Sequence, residues 1–99
     1  MPEKPESGQA LRVQVLVIGS GAGGATTAAV LAENGFDVVV LEEGERHTLT
    51  DYGKSPTSAM QTLYRNKGLL PVLGSVPIGY VEGRCLGGST EINSGFWHR

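Results

Sequence analysis

The 99-residue chain has one cysteine, Cys85, so no intrachain disulfide can form. Its two histidines, His47 and His98, are far apart and have no cysteine cluster near them, which does not suit a zinc site. Positive charge is not in excess either. Eight basic side chains face ten acidic ones, for a net charge of −2, and this gives no electrostatic case for nucleic acid. The second half, 51–99, carries five basic and three acidic residues, but they are scattered as on a solvated surface. No apolar run approaches the roughly 20 residues of a membrane-spanning helix. The segment Met1–Gln9 is polar, holds two prolines and lacks the apolar centre of a secretory signal. Residues 1–10 read as a flexible tail, and the cytoplasm is the expected compartment. Apolar residues make up only 39% of the chain because glycine takes fifteen positions. These glycines stand at fixed places between periodic segments, so the low apolar content is not a sign of disorder. A chain of this length forms one small domain at most, with a modest core.

The fifteen glycines fall mainly into two clusters. The first, Gly19-Ser20-Gly21-Ala22-Gly23-Gly24, follows the β-branched run Val13, Val15, Leu16, Val17 and Ile18. That run predicts a parallel strand buried on both faces. From Ala22 to Asn34 the pattern turns helical, with the small residues Ala25, Ala28, Ala29 and Ala32 expected to keep the helix close to a sheet. Gly35 is a natural stop, and Asp37 to Leu41 predicts a second strand. Strand, glycine turn, helix and strand make one βαβ unit. Gly19-x-Gly21-x-x-Gly24 lies in its turn, where a dinucleotide fingerprint belongs. Gly19 permits the turn, Gly21 lets backbone approach a pyrophosphate, and Gly24 allows close helix packing. The helix N-terminus offers free N–H groups to phosphates. Glu42, 18 residues after Gly24, follows the second strand; its carboxylate can accept from ribose hydroxyls and would repel a 2′-phosphate. Glu43 is adjacent, and Glu42 is preferred because it directly follows the apolar run. This unit alone serves NAD and FAD equally.

The second cluster discriminates between them. Val17 to Gly24 and Val40-Leu41-Glu42-Glu43-Gly44, taken with Gly83-Arg84-Cys85-Leu86-Gly87-Gly88-Ser89-Thr90-Glu91-Ile92-Asn93, resemble the glucose-methanol-choline (GMC) oxidoreductases over about residues 13–99. The resemblance implies an FAD-dependent enzyme that oxidises alcohols by hydride transfer, with an alcohol substrate and a separate electron acceptor. It implies that the segment matching Gly83 to Asn93 runs along the flavin, with Asn93 near the ring. Gly87-Gly88 followed by Ser89-Thr90 suits close backbone approach, with a hydroxyl at a helix start. Arg84 either neutralises a phosphate or braces the loop, and Asn93 could instead serve as a cap or turn residue. Some family members attach FAD covalently through a histidine one place before the matching asparagine. Ile92 stands there, so dissociable FAD is expected.

Between the clusters, Ser55-Pro56 with Met60, Leu63, Tyr64 and Gly68 predicts a short capped helix. Leu69 to Tyr80 is interrupted by Pro71, Gly74, Pro77 and Gly79 and is expected to be irregular, with a short strand near Val76 to Val81; the resemblance makes it part of a flavin-covering excursion. Tyr52, Tyr64 and Tyr80 are expected to pack ordinarily, and Cys85 to be a buried filler. The expected fold is therefore α/β, a partial Rossmann-like FAD-binding domain over residues 11–99. No catalytic or metal-binding residue is assigned: the family's active-site histidine lies beyond residue 99, so His98 is not taken as the base. Because family members are several times longer, the chain is expected to be an N-terminal portion, inactive and weak for FAD by itself. Two other readings stand beside this one, an NAD-binding reductase fragment and a non-catalytic module for a nucleotide or another subunit. The Gly83–Asn93 segment favours FAD over NAD, and the reading frame beyond Arg99 would separate fragment from module.

Overall fold

The computed structural model describes residues 8, 10–52 and 55–93. Most of the tail and His98 therefore lie outside the described residues. Strand β1 (Val15–Ile18), helix α1 (Ala22–Glu33) and strand β2 (Val38–Leu41) form the expected βαβ unit. β1 and β2 are parallel, with Val15 opposite Val38 and Ile18 opposite Leu41; parallel neighbours need a crossover, which α1 supplies. Asn34 and Gly35 end the helix. Gly35 takes the left-handed conformation (φ 85°), its N–H donates to Ala32 O, and the Phe36 N–H donates to Leu31 O at 3.1 Å. Such closing bonds satisfy carbonyls that the helix cannot reach internally. The two strands start together because the Asp37 N–H donates to Gln14 Oε1 at 2.7 Å and the Val15 N–H to Asp37 O at 3.0 Å.

α1 sits on β1 through Gly24 and Ala28. A Cβ at Gly24 would run into the Gly19 carbonyl oxygen and stand 3.3 Å from Val17 Cγ1. Ala28 is buried, whereas Ala25, Ala29 and Ala32 are exposed, so two small residues rather than a whole alanine row set the approach. The strand also departs from expectation. Val15 and Val17 are half-buried, but Leu16 is exposed and Ile18 is 82% exposed. Among the described residues one face of β1 has α1 over it and the other has no layer, so burial on both faces is not reached.

Helix α2 (Pro56–Leu63) begins as predicted. Ser55 is its cap, with Oγ accepting from the Ser58 N–H at 3.2 Å, and Pro56 occupies the first turn. The chain then reverses through Asn66, Lys67 and Gly68, all at positive φ (49°, 57° and 81°). The short strand expected near Val76 to Val81 is present as β4 (Ile78–Tyr80), but the irregular reading of the residues before it is corrected: β3 (Leu70–Val72) pairs antiparallel with β4, Leu70 opposite Tyr80. Pro71 fits because a two-stranded hairpin has only edge strands, where a missing N–H need not break a ladder. Gly74 and Pro77 mark the turn of the hairpin, while Pro71 and Gly79 pair within its strands. Both strands are exposed apart from half-buried Leu70.

From the hairpin the chain returns to the middle of the molecule. The Arg65 N–H donates to Glu82 O at 2.8 Å, Arg84 N–H to Leu63 O at 2.7 Å, and Leu86 N–H to Glu45 O at 2.9 Å. Isolated bridges join Tyr64 to Gly83 and Glu45 to Cys85. Residues 82–86 are therefore stitched between the end of α2 and the segment after β2. The buried apolar residues among those described are Ala28, Leu63 and Cys85. No described helix is long and apolar enough to cross a membrane.

The close approach at Gly24 has a measurable consequence. Gly24→Ala is expected to destabilise the protein by about 1–3 kcal/mol through overpacking against backbone. Urea denaturation measures this, and an unchanged midpoint would contradict the packing described.

Candidate functional site

The site is built where β1 hands over to α1. Gly19 leaves the strand at φ 94°, with its N–H donating to Leu41 O at 2.7 Å. Gly21 is the N-cap residue of α1. It brings no side-chain cap, and the first turn of the helix holds no acidic residue. The leading N–H groups of α1 are thus left to an outside acceptor, and the helix end carries partial positive charge. A Cβ at Gly19, Gly21 or Gly23 would meet nothing within 4 Å. The turn is open on the side where a phosphate group would lie, and it fits the diphosphate of a dinucleotide.

Ser20 is the junction of this region. It is 6% exposed. Its Oγ donates to Glu42 Oε2 at 2.6 Å and accepts from the Gly87 N–H at 2.9 Å. Its own N–H also donates to Glu42 Oε2, at 2.9 Å, while Glu42 Oε1 accepts from the Gly44 N–H at 2.9 Å. Burial pushes the Glu42 carboxyl upward, but the Ser20 hydroxyl and the N–H groups of Gly44, Ser20 and Glu43 together outweigh it. The group ends below the ordinary glutamate value of 4.5. Glu42 thus ties the end of β2 to the glycine turn, with its own two oxygens taking donors from both sides.

The second cluster lies directly against the first. Gly87 (φ 95°) and Gly88 (φ 60°) are both left-handed. A Cβ at Gly88 would stand 3.2 Å from Gly21 Cα, so backbone meets backbone there. Residues 88–92 form a short 3₁₀ turn. Ser89 does not cap it; instead its Oγ accepts from the Gly83 N–H at 2.9 Å, closing the loop on itself. Two further glycines, which sequence reasoning left without a task, allow this packing. A Cβ at Gly44 would strike the backbone of Arg84 and Cys85, and one at Gly83 would lie 2.5 Å from Gly88 O. Their signal was position: Gly44 follows the carboxylate pair and Gly83 opens the motif. Cys85 is 1% exposed, as expected of a filler. Burial pushes its thiol up, with the nearby carboxylates adding to the effect.

A cleft of about 350 Å³ joins the two clusters, lined by Gly19, Gly21, Glu42, Glu43, Gly88 and Ser89 among others. Ser20 and Gly87, bonded to each other, line an adjoining pocket instead. The remaining expected site residues are placed elsewhere. Ala22 and Gly23 are exposed on the first turn of α1, and Gly24 faces β1. Thr90 is exposed in the 3₁₀ turn. Asn93 borders a separate pocket with Tyr52, Leu63 and Tyr64. The Arg84 Nε lies 3.5 Å from Glu43 Oε2, which favours bracing over phosphate contact. The Arg65 guanidinium pairs with both Glu43 oxygens and, through Nε, with Glu82 Oε2 at 3.1 Å. The bond to Arg65, aided by the Arg65 and Arg84 charges, holds the Glu43 carboxyl below its ordinary value, and Arg65 is raised in turn. Among the described residues no cluster of three metal-ligating side chains exists. The tyrosines add polar contacts at the surface, Tyr52 donating to Glu91 and Tyr80 to Glu82.

Residues 17–52, which cover the βαβ unit from the middle of β1 onward, match the family model described as an NAD(P)-binding Rossmann-like domain. The chain is also 43% identical, over 90% of its length, to an uncharacterized GMC-type oxidoreductase, y4nJ, of Sinorhizobium fredii. It is 43% identical over 91% of its length to another, Rv0492c of Mycobacterium tuberculosis, and 38% identical over 84% to the long-chain-alcohol oxidase FAO3 of Arabidopsis thaliana. It spans 18%, 14% and 11% of these three relatives. The chain is therefore related to GMC-type oxidoreductases over nine-tenths of its length and corresponds to a small part of them, as its two motifs led us to expect.

The Ser20–Glu42 bonds set a pH dependence. Because the Glu42 carboxyl is lowered on folding, its contribution to stability is complete above the unfolded value and is lost as pH falls through the folded one. Glu42→Gln is expected to flatten this acid limb in urea denaturation repeated across pH. A slope equal to that of the wild type would contradict the role given to Glu42.

Proposed function

We propose that this chain forms the dinucleotide seat of a flavin-dependent oxidoreductase acting on alcohols, and that the dinucleotide is FAD, held without a covalent bond. The observation that carries this reading is the direct contact of the two glycine clusters. The βαβ unit alone would suit any adenine dinucleotide. The apposition of Gly88 to Gly21, and the bond from the Gly87 N–H to Ser20, put the Gly83–Asn93 motif on the phosphate turn. That motif carries the GMC resemblance, and the relatives named as alcohol oxidases support the substrate class.

Within this seat each group has a task. The open turn at Gly19 and Gly21 and the leading N–H groups of α1 receive the diphosphate. Glu42 accepts from the adenosine ribose. Gly87 and Gly88 bring backbone close to the rest of the cofactor, and Ser20 holds both loops in register. When bound, FAD supplies an acceptor for the hydride that leaves the alcohol carbon. Ile92 offers no atom for a bond to flavin. No described residue is positioned as a base for the hydroxyl proton, so we assign that group, and the alcohol pocket, to the remainder of the parent polypeptide. The domain assignment for residues 11–99 is part of the same proposal.

A second reading, an NAD-dependent reductase, draws on the description of the matched family model. That match ends at residue 52, before the second glycine cluster begins. Absorbance of the full-length protein separates the two readings: flavin bands are expected, with the colour passing into the supernatant after acid denaturation. Absence of flavin bands would favour NAD, and yellow colour retained on the polypeptide would contradict non-covalent binding.

A further inference from the structure

The dinucleotide reading leaves the cluster of Glu43, Glu82, Arg65 and Arg84 without a task. Glu43 lines the same cleft as Glu42, Gly19 and Gly21, and Glu82 lines it too. Two guanidiniums converge on Glu43: Arg65 takes both of its oxygens, and Arg84 lies 3.5 Å from Oε2. Arg65 is also held by Glu82, which accepts from the Tyr80 hydroxyl at 2.6 Å. Two arginines therefore stand behind Glu43 and Glu82, the carboxylates that neighbour Glu42 along the cleft, and Arg84 faces an adjoining pocket with Glu43. In this fold an arginine near that position accommodates a 2′-phosphate, whereas a carboxylate takes the free 2′-hydroxyl. Guanidinium and phosphate make paired, charge-assisted hydrogen bonds. Here both guanidiniums are already engaged by carboxylates.

Resting on the dinucleotide reading, we propose that Glu43 is a specificity-determining residue. By pairing with Arg65 and Arg84 it withholds them from the ligand, so that the cleft takes an adenine nucleotide with a free 2′-hydroxyl and rejects one with a 2′-phosphate. Glu42 opposes a 2′-phosphate directly, by its charge. Glu43 acts through the arginines it occupies: removing it frees Arg84 and leaves Arg65 held by Glu82 alone, one side chain away from the cleft.

The test is calorimetric titration of the full-length polypeptide, dialysed free of nucleotide, with ADP and with 2′,5′-ADP. Wild type is expected to bind ADP and to bind 2′,5′-ADP more weakly. Glu43→Gln is expected to keep ADP binding and narrow the gap about fivefold, the scale of one partly exposed charge pair. Adding Arg65→Gln and Arg84→Gln to Glu43→Gln is expected to restore the gap. Arg65→Gln alone, which leaves Glu43 in place, is expected to widen it, and this variant decides the matter should Glu43→Gln fail to fold. An unchanged gap in Glu43→Gln overturns the proposal. So does a gap that stays narrow without the arginines, since the effect would then come from carboxylate charge alone, and so does a narrower gap in Arg65→Gln. Failure of wild type to bind ADP overturns the dinucleotide reading and this inference with it.

Discussion

Everything in the site depends on one buried hydroxyl. Ser20 donates to Glu42 and accepts from Gly87, so a single oxygen joins the turn after β1, the end of β2 and a loop 67 residues further along the chain. A hydroxyl can do both because it carries one donor and two acceptor sites. With Ser20 6% exposed, water offers these groups little replacement, and a lost partner would leave a polar atom unsatisfied. The chain gains specificity here rather than bulk burial, for its described core holds only Ala28, Leu63 and Cys85 as buried apolar residues.

The glycines make this junction possible by letting backbone replace side chain. At Gly24 the helix comes down onto the strand; at Gly44 and Gly83 the incoming loop crosses the end of β2; at Gly88 it reaches Gly21. A methyl group would collide with backbone at Gly24, Gly44 and Gly83 and would crowd Gly21 from Gly88. The ion pairs of Arg65 and Arg84 with Glu43 and Glu82 hold the outer edge of the same assembly. The βαβ unit, the α2 segment and the returning loop are thus fixed around one cleft by hydrogen bonds and charge pairs, with little apolar surface between them.

Local periodicity and turn chemistry made the first half legible. The apolar run ending at Gly19, the helical stretch closing at Gly35 and the Ser55-Pro56 start all appear as read, within a residue or two. The second hairpin strand was read near Val76 to Val81, but its partner was missed because prolines and glycines at 71, 74, 77 and 79 look like breaks, and two exposed strands offer no alternating apolar face to offset them. Burial of β1 was overestimated because the sequence states what a strand prefers, not how many layers surround it. In the site, the fingerprint glycines, Glu42 and Gly87-Gly88 were legible from motif spacing. The engagement of Ser20 with Gly87, the tasks of Gly44 and Gly83, and the charge cluster on Glu43 were not, since each joins residues distant in sequence. Arg84 illustrates the limit: the sequence left phosphate contact and bracing open, and only the position of Glu43 favours one.

The central claim is that the two glycine clusters act as a single seat, with Gly88 laid against Gly21. The most direct measurement is dinucleotide affinity of the full-length protein carrying Gly88→Ala. The methyl would enter a left-handed position and the 3.2 Å approach to Gly21 Cα, so affinity is expected to fall about tenfold or more. Full dinucleotide occupancy at unchanged affinity in this variant would contradict the account.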